Sequence, residues 1–254
     1  MAVKRSQSAS RALAVLEVIA SQQPISISSI ARSLQEDRSA VQRAVMTLSD
    51  LGWIRNSGEP PARWELSAHL FAVAHLPQSS SDLRERAQRA LGELRDQTGE
   101  TAFLAIPDVS RFIVIEVAES RHALRMASRI GEVIPPRGSA TGRAVLPYLD
   151  AGRQAGMLGR APDAGEQAEF AATRARGFSV SIGDVMQGAT NLAAPVFDAR
   201  GQPMGAVVIS GPSERLAIDL HLGIGRLLAQ VARKLSRKSP GATQTEPEGS
   251  VAVV

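Results

Sequence analysis

The sequence predicts an α+β fold in two parts: a winged helix-turn-helix, a linker helix, and an antiparallel sheet covered by helices. Three observations predict it. Apolar residues recur at helical spacing through three short segments before Gly52. The pattern then shortens to two small strand-like runs around the turn-forming NSGEPP. From Thr101 onward, strand-like runs joined by turns alternate with helical stretches. At 254 residues the chain is long enough to bury two modest cores.

Ala12, Val15, Leu16 and Ile19 form the apolar stripe of the first helix. Ser26 opens a short second helix through Ile27, Ile30, Ala31 and Leu34, with Ser29 at the last position of a capping-box spacing. After the turn Gln35-Glu36-Asp37 comes RSAVQRAVMTL. As a helix, it places Val41, Ala44, Val45 and Leu48 on one buried stripe and Ser39, Gln42, Arg43 and Met46 on another face. Asp37 is placed to cap it, which leaves its N-terminal side chains exposed, as a helix entering a DNA groove requires. Leu51-Gly52 ends it, and the runs Trp53-Ile54-Arg55 and Arg63-Trp64-Glu65-Leu66 form the wing. An isolated helix carrying Arg and Gln is only a solvated face. Three helices, a tight turn and a wing, in that order, point to DNA.

Residues 67–76 continue a helical pattern that QSSSD breaks. Leu83, Ala87, Ala90, Leu91 and Leu94 then define a helix ending at Gly99. TAFLAI and RFIVIEVA are strand-like and joined by PDVS, and HALRMASRI alternates as a third strand. EVIPPRGSATG is irregular, ATGRAVLPYL resumes a short helix, and a polar Ala-rich helix through 164–176 stops at Gly177. Strands return in FSVSIGD, NLAAPVFD and MGAVVIS, the last two joined by ARGQP. A final helix over about 214–237 carries the stripe Leu220, Ile224, Leu227, Leu228, Val231 and Leu235, with Arg233, Lys234, Arg237 and Lys238 at its negative end. The expected organisation is a winged helix-turn-helix over 1–66, a linker helix over 67–80, a sheet domain over 81–238, and a disordered tail over 239–254.

Composition narrows the chemistry. With no cysteine there are no disulfides, thiolate nucleophiles or Cys-type zinc sites. His69, His75, His122 and His221 lie far apart, so neither a metal nor a cofactor is expected. No apolar run approaches the roughly 18 to 20 residues of a membrane span, and the N-terminus has the charge but not the apolar core of a secretion signal. No membrane association is expected, and the cytoplasm is the expected location. Net charge +4 permits a nucleic-acid partner without demanding one. Lys4 and Arg5 lie on a basic arm that can follow phosphate or enter a minor groove. An enzyme with an N-terminal interaction module is the competing class. Against it, GxSxG, Walker A and GxGxxG motifs are all absent, and a Ser139/Asp184/His122 set would have to be assembled from unrelated stretches.

RALAVLEVIA, SISSIARSL, RSAVQRAVMTLSDLGWI and NLAAPVFDARGQPMGAVVISGP resemble, in this order from about residue 9 to about residue 238, the isocitrate lyase regulator (IclR) family of bacterial transcription factors. The sequence departs from the family pattern at Gln35, where Gly is common, at Asp37, where Pro is frequent, and at Asn191, where Cys is frequent. The resemblance implies that the second domain is GAF-like and binds an effector. Read from its residues alone, Pro135–Gly142 is either an anion site at a helix N-terminus or a plain cap begun by Ser139 or Thr141, the plain cap being the stronger reading. The resemblance reverses that order. It implies backbone or hydroxyl donors at Gly138, Ser139 and Ala140, with Asn191 and Ser210 beside them. Ser181, with Asp184 three positions on, stands where related chains often carry an acid, and Val208 where a serine is sometimes found. Met126 and Ser128, on the expected third strand, would supply one apolar and one polar wall. So few polar positions imply a ligand larger or more apolar than a two-carbon acid, such as an aromatic or other mid-sized carboxylate.

On the DNA side, Arg38, Ser39, Gln42 and Arg43 would lie near bases and phosphates, and Ser28, Ser29 and Arg63 would contact backbone. Arg43 suits guanine and Gln42 adenine by bidentate geometry, although either can hold phosphate alone. The expected function is a ligand-responsive repressor of a catabolic operon, with an activator of the same architecture as the alternative. A homodimer or tetramer on an inverted-repeat operator is the expected assembly.

Overall fold

The computed structural model describes residues 6–58, 60–74 and 79–236. They divide into two compact units between Gln78 and Ser79, inside the stretch expected to link the domains.

In the first unit, α1 (Gln7–Gln22), α2 (Ile27–Leu34) and α3 (Arg38–Asp50) each begin at a polar cap. Ser6 accepts from the N–H of Ala9, Ser26 from that of Ser29, and Asp37 from those of Ser39 and Ala40. The helices enclose Val15, Ile19, Ile30, Val41, Val45 and Leu48. Burying these apolar stripes is what holds helices as short as α2, which would not persist alone. The antiparallel pair β1 (Ile54–Asn56) and β2 (Trp64–Leu66) closes the same core with Ile54 and Trp64. Ile25 adds a bridge to Trp64, with N–H to carbonyl distances of 3.1 and 2.8 Å. Trp53 ends α3 instead of starting a strand, donating its N–H to the carbonyl of Leu48. Helix α4 (Ala68–Ala74) follows.

The second unit is a six-stranded antiparallel sheet. Helix α5 (Ser79–Thr98) leads into β3 (Thr101–Asp108) and β4 (Arg111–Ala118). After β5 (Val133–Ile134), α6 (Ala140–Val145) runs into a 3₁₀ turn at Leu146–Tyr148, then come α7 (Ala151–Leu158) and α8 (Ala164–Arg176). The chain finishes with β6 (Ser179–Ile182), β7 (Ala189–Phe197), β8 (Pro203–Pro212) and α9 (His221–Leu235). The spatial order is β5-β4-β3-β8-β7-β6.

Alternation along the strands feeds two cores. Leu104, Leu192, Val207 and Ile209 face α5 and α9, while Phe103, Ala105, Ala193 and Val208 face α6 and α8. Both faces are covered, which is why these strands read as nearly continuous apolar runs.

Three expectations fail here. HALRMASRI forms no strand: Leu124 and Ile130 are exposed, Ser128 of the same parity is buried, and Ala123, Arg125, Ala127 and Arg129 are all exposed, so neither face packs as a strand face would. The sheet edge beside β4 is taken by β5, with Phe112 opposite Ile134. The segment is held by polar ties instead. Thr101 Oγ1 donates to the Met126 carbonyl at 2.7 Å, and Arg215 donates to the Leu124 carbonyl at 3.1 Å while gripping buried Glu100 at 2.5 and 2.9 Å. Secondly, α7 was not foreseen, although Asp150 caps it and Gly159 ends it in the left-handed region. Thirdly, α9 starts at His221, leaving Leu220 exposed outside the expected stripe.

Candidate nucleic-acid interface and effector cavity

Along α3, Arg38, Ser39, Gln42, Arg43 and Met46 are exposed, opposite the buried Val41, Ala44, Val45 and Leu48. The Asp37 carboxylate accepts from the Ser39 hydroxyl at 2.5 Å and from the N–H groups of Ser39 and Ala40 at 2.9 and 3.1 Å. These bonds, the Ser39 hydroxyl foremost, hold its pKa below the usual aspartate value. Arg43 Nη1 reaches back to Ser39 Oγ at 3.4 Å, which leaves the rest of its guanidinium fork for a base edge or phosphate. Ser28 is exposed on α2, whereas Ser29 is half-buried and its hydroxyl is shared with Ser26 at 3.0 Å. Arg63 is exposed at the start of β2. An Arg11–Glu36 ion pair ties α1 to the turn between α2 and α3, and Arg55 meets Glu65 at 2.9 Å across the wing. Lys4 and Arg5 lie outside the described residues.

In the second unit, a cavity of about 90 Å³ opens between the 126–128 segment, β5 and the loop after it, the start of α6, the hairpin tip before β7, and the end of β8. That volume holds several water-sized spheres at roughly 10–15 Å³ each. Phe103, Met126, Ile134, Val185, Met186 and Val208 make its apolar wall. Ser128, Thr141, Asn191 and Ser210 make a polar one. Ser128, Thr141 and Ser210 are buried, and the side chains of all four lack a hydrogen-bond partner among the described residues. Polar side chains that converge on one hollow, with bonding capacity not spent on the protein, suit the recognition of a small ligand. Exposed Glu132, whose carboxylate accepts from the Arg129 N–H at 3.1 Å, is among the lining residues, and no Arg or Lys is. A bound anion would therefore be held by hydroxyls, a carboxamide and the free N–H groups that begin α6.

Residues 8–58 match the IclR helix-turn-helix domain, and residues 76–237 match the bacterial transcriptional regulator IclR C-terminal domain. The chain belongs to the IclR family. Its first unit is that family's DNA-binding helix-turn-helix domain. Among curated relatives, the transcriptional repressor IclR of Escherichia coli strain K12 is 28% identical over 244 residues, covering 91% of this chain and 89% of the relative. The glycerol operon regulatory protein of Streptomyces griseus is 28% identical over 226 residues, covering 84% and 87%. An IclR homolog of Microbacterium hydrocarbonoxydans, solved in complex with 4-hydroxybenzoate, shares the fold with a TM-score of 0.75 at 18% identity, covering 91% of this chain and 98% of its own.

Within this IclR-family chain, Met126, Ser128, Ser139, Ala140, Asn191 and Ser210 all line the same cavity. Met126 and Ser128 do so from an irregular segment and not from a strand. The Ser139 hydroxyl is no free donor: it donates to the Pro135 carbonyl at 2.6 Å and accepts from the Gly142 N–H at 3.0 Å as the cap of α6. What remains for a ligand is the backbone of Ala140 and Thr141. Gly138, Ser181 and Asp184 stand outside the lining. Ser181 Oγ donates to the Gly138 carbonyl at 2.7 Å, and Asp184 pairs with Arg143 at 3.1 Å, so the two brace the loop. Neither His122 nor Asp184 is paired with Ser139. Sequence reasoning missed Thr141, Phe103, Val185 and Met186 as lining residues. Phe103 could have been found from the period-two alternation of TAFLAI, which turns it away from Ala102 and Leu104.

Proposed function

We propose that this chain is a ligand-controlled repressor of a catabolic operon, whose affinity for operator DNA is set by a mid-sized organic acid bound in the second unit. The observation that carries the reading is the unpaired quartet Ser128, Thr141, Asn191 and Ser210, facing an apolar wall in a chain whose other unit binds DNA. A carboxylate at the N–H groups of Ala140 and Thr141, with a ring against Phe103 and Val208, satisfies both walls. Support comes from the fold neighbour complexed with 4-hydroxybenzoate and from relatives that are a repressor and an operon regulator. In this reading α3 enters the major groove, with Arg43 on guanine and Gln42 on adenine, while Arg38, Ser39, Ser28, Ser29, Arg63, Lys4 and Arg5 meet phosphate. The chain works in the cytoplasm as a homodimer or tetramer on an inverted repeat, because one winged helix covers too few base pairs to specify a rare site. Its parts are a DNA-binding domain over 1–66, a linker over 67–80 and an effector domain over 81–238.

The test is a band-shift titration of the full chain on DNA upstream of its own gene, repeated with a panel of monocarboxylates. Specific retardation, a footprint with two related half-sites, and release by at least one acid are expected. A monomer on a single half-site, or binding indifferent to every acid, contradicts the proposal.

A further inference from the structure

The β6–β7 hairpin ends in Gly183-Asp184-Val185-Met186-Gln187-Gly188, and its tip is chemically odd. Both glycines sit at positive φ, +72° and +79°, and the base is closed by the Gly183 N–H on the Ala189 carbonyl at 2.8 Å. A six-residue tip between such glycines ordinarily carries polar residues. This one carries Val185, 47% exposed, and Met186, 57% exposed, and both line the effector cavity. Two apolar side chains are thus left half in water at the mouth of a hollow lined on its other side by Phe103 and Val208. The neighbouring residue anchors them. Asp184 accepts from Arg143 on α6 at 3.1 Å and shares the Ser181 hydroxyl proton with the Gly138 carbonyl, at 3.2 and 2.7 Å, and its side chain lies against Gly138, where an added Cβ would meet Asp184 Cβ at 3.6 Å. Arg143 is itself fixed by donating to the Val180 carbonyl at 2.7 Å. A partly exposed ion pair of this kind adds little to stability. Its geometric effect is to bind the hairpin tip to the loop and helix that would carry the ligand's carboxylate.

We propose that this tip is the specificity element of the cavity: Val185 and Met186 cover the ring or chain of a mid-sized acid, and Asp184, held by Arg143 and Ser181, keeps that cover in place. The proposal rests on the reading of the cavity as an acid site, and it deepens that reading from acids in general to acids with an apolar body. A short acid gains nothing from the tip, because it ends before reaching it. Asp184 is then a positioning residue that touches no ligand.

The experiment uses the full chain and calorimetry with two probe sets: pyruvate and glyoxylate as short acids, 4-hydroxybenzoate, benzoate and cyclohexanecarboxylate as ring acids. Wild type is expected to prefer a ring acid. Replacing Val185→Ser and Met186→Ser together should weaken the best ring acid roughly tenfold or more, the order expected for lost apolar contact, with a much smaller loss for any short acid and an unchanged unfolding midpoint. Asp184→Asn, which keeps the volume and removes the ion pair, should raise the ring acid's dissociation rate several-fold, since changes within one binding site act mostly on dissociation. If wild type binds no acid at all, the acid-site reading falls and this proposal with it. If ring acids bind and the double variant binds them as wild type does, or Asp184→Asn leaves dissociation unaltered, the specificity proposal alone is overturned.

Discussion

On α3 the polar groups of the candidate DNA-reading face project into water from a single helical face, whereas the cavity of the second unit gathers its polar groups from four separate stretches and buries three of them. Arg38, Gln42 and Arg43 have water as their alternative partner, so altering them should change binding and leave folding alone. Ser128, Thr141 and Ser210 are buried beside the apolar wall of Phe103 and Val208, so substitutions there also disturb packing. The contrast teaches that damage to the first site reads out as lost affinity, while damage to the second also reads out as lost stability.

The largest expected effect lies in the second unit. Gly142 in α6 has no room for a side chain: a Cβ there would sit 1.8 Å from the Pro136 carbonyl oxygen and 2.7 Å from its carbon. Gly142→Ala must therefore push the Pro135–Ser139 loop away, at a cost of about 3 kcal/mol for overpacking against backbone. Both tryptophans, Trp53 and Trp64, lie in the first unit. Circular dichroism should show the loss, while the tryptophan fluorescence transition stays at its wild-type denaturant concentration. A variant as stable as wild type would break the contrast.

Its counterpart in the first unit is Arg43→Ala, expected to weaken operator binding by about 1–3 kcal/mol and to relax base preference at one position. The unfolding midpoint should not move. Equal binding to the operator at matched salt would remove α3 as the reading helix.

Among the described residues each unit also holds one non-glycine residue at positive φ: Gln35 at 53° in the turn after α2, and Val109 at 46° in the β3–β4 turn. Val109 is β-branched and almost fully exposed, so Val109→Gly should relieve strain and stabilise by about 1 kcal/mol, net of glycine's entropy. Gln35→Gly should gain about half as much, because Gln is unbranched at Cβ and its N–H already meets the carbonyls of Ala31 and Arg32. Urea unfolding of the two variants decides the ranking.

The smallest effect is shared. Asp37 caps α3 and Asp163 caps α8, and both have pKa values below the ordinary 3.8, Asp37 chiefly through the Ser39 hydroxyl and Asp163 chiefly through the Glu166 N–H. A depressed native pKa means the stabilisation is complete above about 3.8 and is lost as pH falls through the lower native value. Asp37→Asn and Asp163→Asn should each flatten the acid limb of stability against pH while keeping the cap. An unchanged acid limb would show that the caps do not contribute to it.

The same contrast explains what could be read from the sequence. The DNA-binding unit was legible because its face, stripe and cap are contiguous: Asp37, Val41, Ala44, Val45 and Leu48 fall within one turn-and-helix pattern, and each sits where that pattern puts it. Strands β7 and β8 were legible as apolar runs joined by a tight turn. The 122–130 segment was misread because alternation alone does not supply a partner strand: Leu124 and Ile130 are exposed, Ala123, Arg125, Ala127 and Arg129 on the other parity are exposed too, and β5 takes the edge of β4. In the second unit, resemblance pointed to a loop that borders the cavity but could not separate residues that line it from residues that brace it. Ser139, Ser181 and Asp184 are polar and adjacent to the loop, yet their hydrogen bonds are spent on Pro135, Gly138 and Arg143. That depends on side-chain direction, which spacing does not encode. Val185 and Met186 were invisible for a related reason, since their neighbours in space come from strands distant in sequence.

The central claim, that an acid in the cavity controls DNA affinity, is tested most directly by linkage. Operator affinity of the full chain is measured by fluorescence anisotropy with and without a saturating acid, and acid affinity by calorimetry with and without saturating operator. The account predicts a change in operator affinity of about 5- to 150-fold, a coupling of about 1–3 kcal/mol, and the same factor in acid affinity when DNA is bound. An acid that binds the cavity with full affinity while leaving operator affinity unchanged would contradict it.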